Sequence, residues 1–195
     1  MPRAPRRLTE TGIYHIITRG NNKQDLFFER EDFEFYLRLI HSMKTDYDFH
    51  LYHYCLMTNH THLLMRFRTQ EAFQKVMQRI NLTYAKRYRK LRHYHGHVFQ
   101  DRFKSIPIES DSYLLECGRY IERNPLKAKI VHDLKDYPWS SYRYYAYDAE
   151  NELLTENPLY RDLGHTPKER QAHYRDYLGQ DRPYENLIAE SLISG

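Results

Sequence analysis

The segment Cys55-Leu56-Met57-Thr58-Asn59-His60-Thr61-His62-Leu63-Leu64-Met65-Arg66-Phe67 reads as strand, short break, strand. Side chains alternate between the two faces of a strand, so His60 and His62 project from the same one. Two imidazoles on one face can hold one divalent metal. In a chain with 12 histidines such a pair is not unusual by itself. Its weight comes from a second stretch, Arg119-Tyr120-Ile121-Glu122-Arg123-Asn124-Pro125, which falls on a predicted helix. There Tyr120 and Asn124 stand at i and i+4, on one helical face. Asn59 marks the break between the strands, where sites tend to lie. Asn124 can offer a carbonyl oxygen as a third ligand, with Tyr120 one turn away.

Outward from this pair the chain reads β-α-β-β-α-β. Gly12–Arg19 is a strand and Gly20–Asp25 a polar loop. A helix from Glu29 to about Asp46 has Phe33, Tyr36, Leu37, Ile40 and Met43 at the spacing of one apolar face. Strands follow at Phe49–Met57 and His60–Phe67, then a helix over Gln70–Arg92 with Phe73, Val76, Met77, Ile80, Tyr84 and Tyr88 inward. A fourth strand is expected over Val98–Ile108, and the tyrosine-bearing helix over Asp111–Val131, capped by Ser110 or Asp111. Pro125 lacks a backbone donor and is expected to bend or end that helix just after the Tyr120–Asn124 turn.

The expected fold class is α+β, a ferredoxin-like βαββαβ sheet with an added tyrosine-bearing helix. Two helices would cover one face of the sheet, leaving the other for the third helix or a ligand. Composition shifts near Asp148. Residues 1–147 are read as one domain and 148–195 as a helical appendage of unknown role. A short helix at Pro167–Leu178, capped by Thr166, should persist there only by docking on the main domain or on DNA. Its His165, Lys168, Arg170 and Arg175 would suit contact with phosphates, so truncation after Asp148 is expected to leave a folded domain with weaker or less selective ligand binding.

Composition narrows the function. Cys55 and Cys117 lack metal-type spacing and fit reduced, intracellular thiols. The basic start Met1–Arg7 has no apolar run after it, so no signal peptide is expected, and no run approaches a membrane span. The net charge of +4 is mild, but 19 tyrosines supply stacking surfaces and hydroxyls for nucleic acid, as well as ordinary packing. The second helix carries Lys75, Arg79, Lys86 and Lys90 at near-helical spacing, either a solvated face or a phosphate track. Arg102 and Lys104, alternating on the fourth strand, would share a face near the site. Arg6 and Arg7 could form an arm that enters a groove.

The chemistry these residues suit is attack on a phosphodiester. A divalent ion on a non-bridging oxygen drains its negative charge, and a tyrosine attacks phosphorus as it loses its proton. The product is a 5′-phosphotyrosine and a free 3′-hydroxyl. That link keeps the bond energy, so strands can be rejoined without ATP, an option lost to a nuclease that uses water.

Asn59-His60-Thr61-His62-Leu63-Leu64 resembles the HUH motif of single-tyrosine transposases, and Tyr120–Pro125 resembles their tyrosine-helix signature. Arg19-Gly20-Asn21-Asn22 and Phe99-Gln100-Asp101-Arg102-Phe103-Lys104 add further matches, nearest to the REP-associated tyrosine transposases (RAYT). The resemblance covers about residues 8–147, with one departure at Thr61, where a bulky apolar residue is usual. It implies a ferredoxin-like nuclease that recognises DNA hairpins and cleaves single-stranded DNA beside them, using Mg²⁺ or Mn²⁺, as a monomer or homodimer in the bacterial cytoplasm near the nucleoid. Carried over residue by residue, it makes His60 and His62 metal ligands, Asn124 a further ligand and Tyr120 the nucleophile. Two other readings stand beside it: a non-catalytic binder whose sheet stacks bases on its aromatics, and a domesticated hairpin-binding regulator.

Overall fold

The computed structural model describes residues 8–180. Its sheet contains β1 (Ile13–Arg19), β2 (Phe49–Met57), β3 (His60–Phe67) and β4 (Lys104–Pro107). The order is β2-β3-β1-β4, all antiparallel, which is the ferredoxin-like arrangement expected from the sequence. Helices α1 (Arg30–Asp46) and α2 (Gln70–Arg92) connect the strands, and α3 (Asp111–Lys127), α4 (Tyr142–Tyr147) and α5 (Pro167–Gly179) follow.

Alternation along the strands separates two cores. Tyr14, Ile16, Leu63, Met65, Phe67, Tyr54 and Leu56 face α1 and α2, where Phe33, Tyr36, Ile40, Phe73, Val76 and Ile80 meet them. The opposite face offers Cys55, Met57 and Leu64 to Leu114, Cys117, Tyr120 and Ile121 of α3. Both sheet faces are therefore covered, which removes the sheet itself as a base-stacking platform. Local chemistry sets the helix starts. Thr69 Oγ1 accepts from Ala72 N at 3.1 Å, and Ser110, not Asp111, caps α3. Glu29 and Asp32 form a reciprocal cap on α1.

Two expectations need correction. Strand β4 is only Lys104–Pro107, because Val98 turns inward beneath α2 and Phe99 bridges Gly20; Arg102 therefore precedes the strand and shares no strand face with Lys104. Helix α3 continues through Pro125 and ends at Lys127, short of the expected Val131. The reason is local: Asn124 Nδ2 donates to the carbonyls of Tyr120 at 2.8 Å and Ile121 at 3.2 Å. The Ile121 oxygen, which a residue other than proline at 125 would satisfy, thus has a donor. Strand β2, placed where its pattern predicted, contains a bulge between Leu51 and His53. Tyr52 is the extra residue, and the shift puts His53 on the α3 side of the sheet, opposite Leu64.

That shift creates the joint between sheet and helix. His53 Nδ1 donates to Glu122 Oε1 at 2.9 Å, and its ring stacks on Tyr145 at 4.4 Å. Asn157 Oδ1 accepts from Leu159 N, which turns Asn157 Nδ2 toward His53 Nε2 at 3.0 Å. The Glu122 carboxylate, fully buried, also accepts from Ser141 Oγ at 2.5 Å and Tyr174 Oη at 2.7 Å. Residues beyond 147 take part in this packing. Leu153 and Leu154 join the α1–α2 core, and Tyr174 and Leu178 pack on Tyr142, Tyr145 and Tyr160. Arg119 Nε donates to the Tyr177 carbonyl at 2.8 Å, and Arg123 Nη1 to that of Leu178, capping the end of α5. The short helix thus docks on the main body, as its length required.

Gly118 is the closest approach of α3 to β2. A methyl group there would sit 2.7 Å from His53 Nε2. The ring cannot swing aside, since Glu122, Asn157 and Tyr145 hold it. Gly118→Ala should therefore destabilise the fold by about 1–3 kcal/mol, lowering Tm by roughly 2–12 °C in a chain of this size. An unchanged melting curve would show that the packing here yields freely.

Candidate active site

Register brings the histidines together. In the β1–β3 ladder His62 lies opposite Ile17 and His60 opposite Arg19; in β2–β3 they lie opposite Cys55 and Met57. The His60 and His62 rings are 4.9 Å apart between centroids. Helix α3 crosses the same face and sets the Tyr120 ring 5.8 Å from His62, edge-on. The two motifs, separated in sequence, thus meet. Thr61 points the other way into the core, where it and its cross-strand partner Thr18 adjoin the Tyr36 hydroxyl, whose pKa burial pushes up to about 12.

A third histidine, absent from the motifs singled out in the sequence, completes the cluster. His15, on β1, approaches His62 Nδ1 with its Nε2 at 2.9 Å and lies 5.9 Å from the Tyr120 ring. Nothing in the local pattern of β1 marks it; only the β1–β3 register does. His60 is oriented by its neighbour: Nδ1 donates to Asn59 Oδ1 at 2.6 Å, while Asn59 Nδ2 donates to the Lys23 carbonyl at 3.3 Å. Among the described residues no hydrogen bond reaches Nε2 of His60 or of His62, so each ring has one nitrogen uncommitted.

Burial keeps these rings neutral. Desolvation, helped by Arg19, lowers His60 to about 4; desolvation and Lys104 lower His15 to about 3. His62 falls well below its ordinary value for the same first cause, with His60, His15 and Arg19 adding to it. Neutral imidazole is the form that ligates metal. Around it stand cations: Arg19, Lys104 and Lys127, whose ammonium lies 5.0 Å over the Tyr120 ring. Arg19 and Lys127 were not expected here. An anionic ligand would meet positive charge on several sides. Among the described residues no group of three His, Cys, Asp or Glu is placed to hold a metal. Asn124 keeps its Oδ1 clear of hydrogen bonds from the described residues, its Nδ2 being spent on α3 carbonyls.

The basic stripe of α2 divides. Lys75 pairs with Glu71 at 2.6 Å and Arg79 with Asp46 at 3.0 Å. Lys86 and Lys90 are exposed, with no ion pair among the described residues. Arg87 and Arg92, beside the stripe, reach Asp32 and stack on Phe35 and Phe28, tying α2 to α1. Lys104 joins the histidine side, and Arg102 lines a groove beside α2. Arg6 and Arg7 lie outside the described residues. In the appendage, Arg170 and Arg175 bond to the carbonyls of Gly164 and Ala146, while His165 and Lys168 stay exposed.

A family model described as "Transposase IS200 like" matches residues 9–124. A search of curated proteins found no match. Among solved structures, a REP-associated tyrosine transposase bound to a REP hairpin superposes with a TM-score of 0.62 at 17% identity, over 80% of this chain and 93% of that one. A candidate transposase from Deinococcus radiodurans R1 gives a TM-score of 0.42 at 14% identity, over 67% and 92%. The first likeness is one of fold. No helix among the described residues is long and apolar enough to cross a membrane.

The depressed histidine values can be read directly. In the presence of a chelator, NMR titration of ring nitrogens should find His60 neutral at pH 6, with its midpoint near its lowered value of about 4. A midpoint at the ordinary histidine value of about 6.5 would mean that water reaches the ring and that burial does not set its state.

Proposed function

Since the chain belongs to the IS200-like transposase family, we propose that it is a metal-dependent single-stranded DNA transposase of the REP-associated kind, recognising DNA hairpins and cleaving beside them through Tyr120. The observation that carries this reading is the meeting of Tyr120 with His62 and His60 on one sheet face. The REP hairpin held by the fold neighbour supports hairpin DNA as the ligand.

The donor set fits a divalent ion. His60 and His62 are neutral, oriented through Nδ1 by Asn59 and His15, and each keeps Nε2 for a ligand. For His62 to ligate through Nε2, its proton sits on Nδ1 and is donated to His15 Nε2. Asn124 Oδ1 is the candidate third donor. Mg²⁺ or Mn²⁺ bound there would polarise a non-bridging phosphate oxygen. The remaining work belongs to the chain. Arg19, Lys104 and Lys127 attract the phosphate. Tyr120 gives up its phenolic proton and its Oη bonds to phosphorus. The phosphorus–O3′ bond breaks, and the 3′ oxygen takes a proton as it leaves. A 5′-phosphotyrosine and a free 3′-hydroxyl result; attack by another 3′-hydroxyl reverses the step and joins strands. In this reading residues 1–147 carry the catalytic parts, the following segment packs into the same body, and its His165 and Lys168 adjoin the hairpin.

The test is incubation of the protein with labelled hairpin DNA carrying single-stranded flanks, in Mn²⁺. A covalent adduct is expected from the wild type. Tyr120→Phe should form none while binding the hairpin nearly as well, because ring packing is kept. His60→Ala should cut cleavage at least tenfold, the usual order when a metal partner is removed. Hairpin binding by the wild type without any adduct would favour the non-catalytic, domesticated reading.

Salt dependence tests the DNA face of α2. Replacing Lys86 and Lys90 with Gln should lower the slope of log K against log salt by about 0.7–0.9 for each phosphate that the protein no longer neutralises. Replacing Lys75 and Arg79 should change it less, since both already hold carboxylates. Equal effects from the two pairs would count against this division.

A further inference from the structure

The two histidines of the site are held at Nδ1 by partners of different kinds. His60 Nδ1 faces Asn59 Oδ1 at 2.6 Å, and Asn59 Nδ2 is turned to the Lys23 carbonyl at 3.3 Å. A carbonyl oxygen can only accept, so the single proton of a neutral His60 sits on Nδ1 and its Nε2 is bare. His62 Nδ1 faces another imidazole instead, with Nε2 of His15 at 2.9 Å. Either nitrogen of that pair could donate. His15 is fully buried and His62 nearly so. Burial keeps both neutral, so each ring carries one proton. Two arrangements of those protons have the same charge and the same shared hydrogen bond.

In the first, His62 donates from Nδ1 and its Nε2 is bare. His15 then carries its own proton on Nδ1. That nitrogen is buried and has no partner among the described residues, so this arrangement leaves an N–H with no acceptor. In the second, His15 donates from Nε2 and its Nδ1 is a bare lone pair. His62 then carries its proton on Nε2, where it blocks ligation. Proteins leave a buried N–H without an acceptor more rarely than an acceptor without a donor. The cation acting on His15 is Lys104, and an ammonium attracts a bare lone pair and repels an N–H turned toward it. Both considerations favour the second arrangement in the metal-free protein. His60 is then ready to ligate and His62 is not.

We propose that His15 is a positioning residue that gates the metal site through the tautomer of His62. The inference rests on the metal-dependent reading above and adds to it the step by which His62 becomes a ligand. In that step the proton on His62 Nε2 leaves to water. The His15 Nε2 proton crosses the shared bond to His62 Nδ1, and His15 Nδ1 takes up a proton from water. One proton leaves and one enters, so the charge of the pair is unchanged. The N–H formed on His15 Nδ1 has no acceptor among the described residues. The penalty for such a group should weaken metal binding by roughly 5- to 150-fold against a site whose tautomer is preset.

Long-range proton–nitrogen NMR of the full chain at neutral pH reads which nitrogen of each ring carries the proton. The probe is Zn²⁺, which is diamagnetic and is bound by imidazole nitrogen. With a chelator present, His60 should show Nδ1–H, and His15 and His62 should both show Nε2–H. On addition of Zn²⁺, His15 and His62 should both change to Nδ1–H. His15→Glu, whose carboxylate can only accept, should hold His62 in the ligating tautomer and tighten Zn²⁺ binding in calorimetry by roughly 5- to 150-fold. If His15 served only as support, its replacement would instead weaken binding by about 10- to 100-fold. Should that variant fail to fold, the wild-type tautomers decide alone. His62 protonated on Nδ1 before metal is added, or weaker Zn²⁺ binding by folded His15→Glu, overturns the gate while the metal reading stands. Zn²⁺ affinity unchanged in both His60→Ala and His62→Ala overturns the metal reading, and the gate with it.

Discussion

The arrangement turns on one buried carboxylate. Glu122 is fully enclosed and accepts hydrogen bonds from His53, Ser141 and Tyr174. These come from β2, from the turn before α4 and from α5, so a single side chain ties three parts of the chain to α3. A buried charge is costly unless every lone pair is engaged, and removing one partner of such a pair typically costs about 3–5 kcal/mol. Glu122 therefore permits one position of α3 on the sheet. Tyr120 lies half a turn earlier on the same helix, so its place beside His62 follows from an interaction that is not part of the site. Gly118 makes that interaction possible by letting the helix backbone approach His53.

The site combines two features that oppose each other. Its imidazoles are desolvated and stay neutral, yet Arg19, Lys104 and Lys127 surround them with positive charge. The cations help keep the histidines unprotonated, and the same field favours an anion. The arrangement thus combines imidazole nitrogens that carry no hydrogen bond from the described residues with a field that favours an anion. His15 engages Nδ1 of His62, which leaves Nε2 as the uncommitted nitrogen of that ring.

Helix α2 serves three purposes. Its inner stripe fills the core beneath the sheet. Arg87 and Arg92, on the two flanks of that stripe, stack on Phe35 and Phe28 and bind Asp32 of α1. The third, turned away from the core, carries the exposed Lys86 and Lys90. Basic residues counted together in the sequence therefore differ in availability: those with a carboxylate in reach hold the fold, and those without one face solvent.

Strong periodicity made much of this legible in the amino-acid order. Both long strands, Phe49–Met57 and His60–Phe67, and the helix Gln70–Arg92 have the boundaries their apolar patterns predicted, because each buries a continuous face whose period has no competing reading. His60, His62 and Tyr120 could be singled out because strand and helix spacing alone put each pair of motif residues on one face. Tertiary structure decided the rest. The Tyr52 bulge turned His53 toward α3, and a one-residue shift in a ladder leaves little mark in local composition. Val98 went inward beneath α2, shortening β4, because an apolar residue there has a core to fill as readily as a strand to extend. Asn124 carried α3 past Pro125 with a side-chain bond that propensity does not foresee. His15 joined the site only through the β1–β3 register, and Arg79 was tied down only through Asp46 on another helix. Asn124 apart, whose bonds are to its own helical turn, the physical reason is common to the other four: period and propensity act between near neighbours, whereas these placements depend on groups brought together only when the chain has folded.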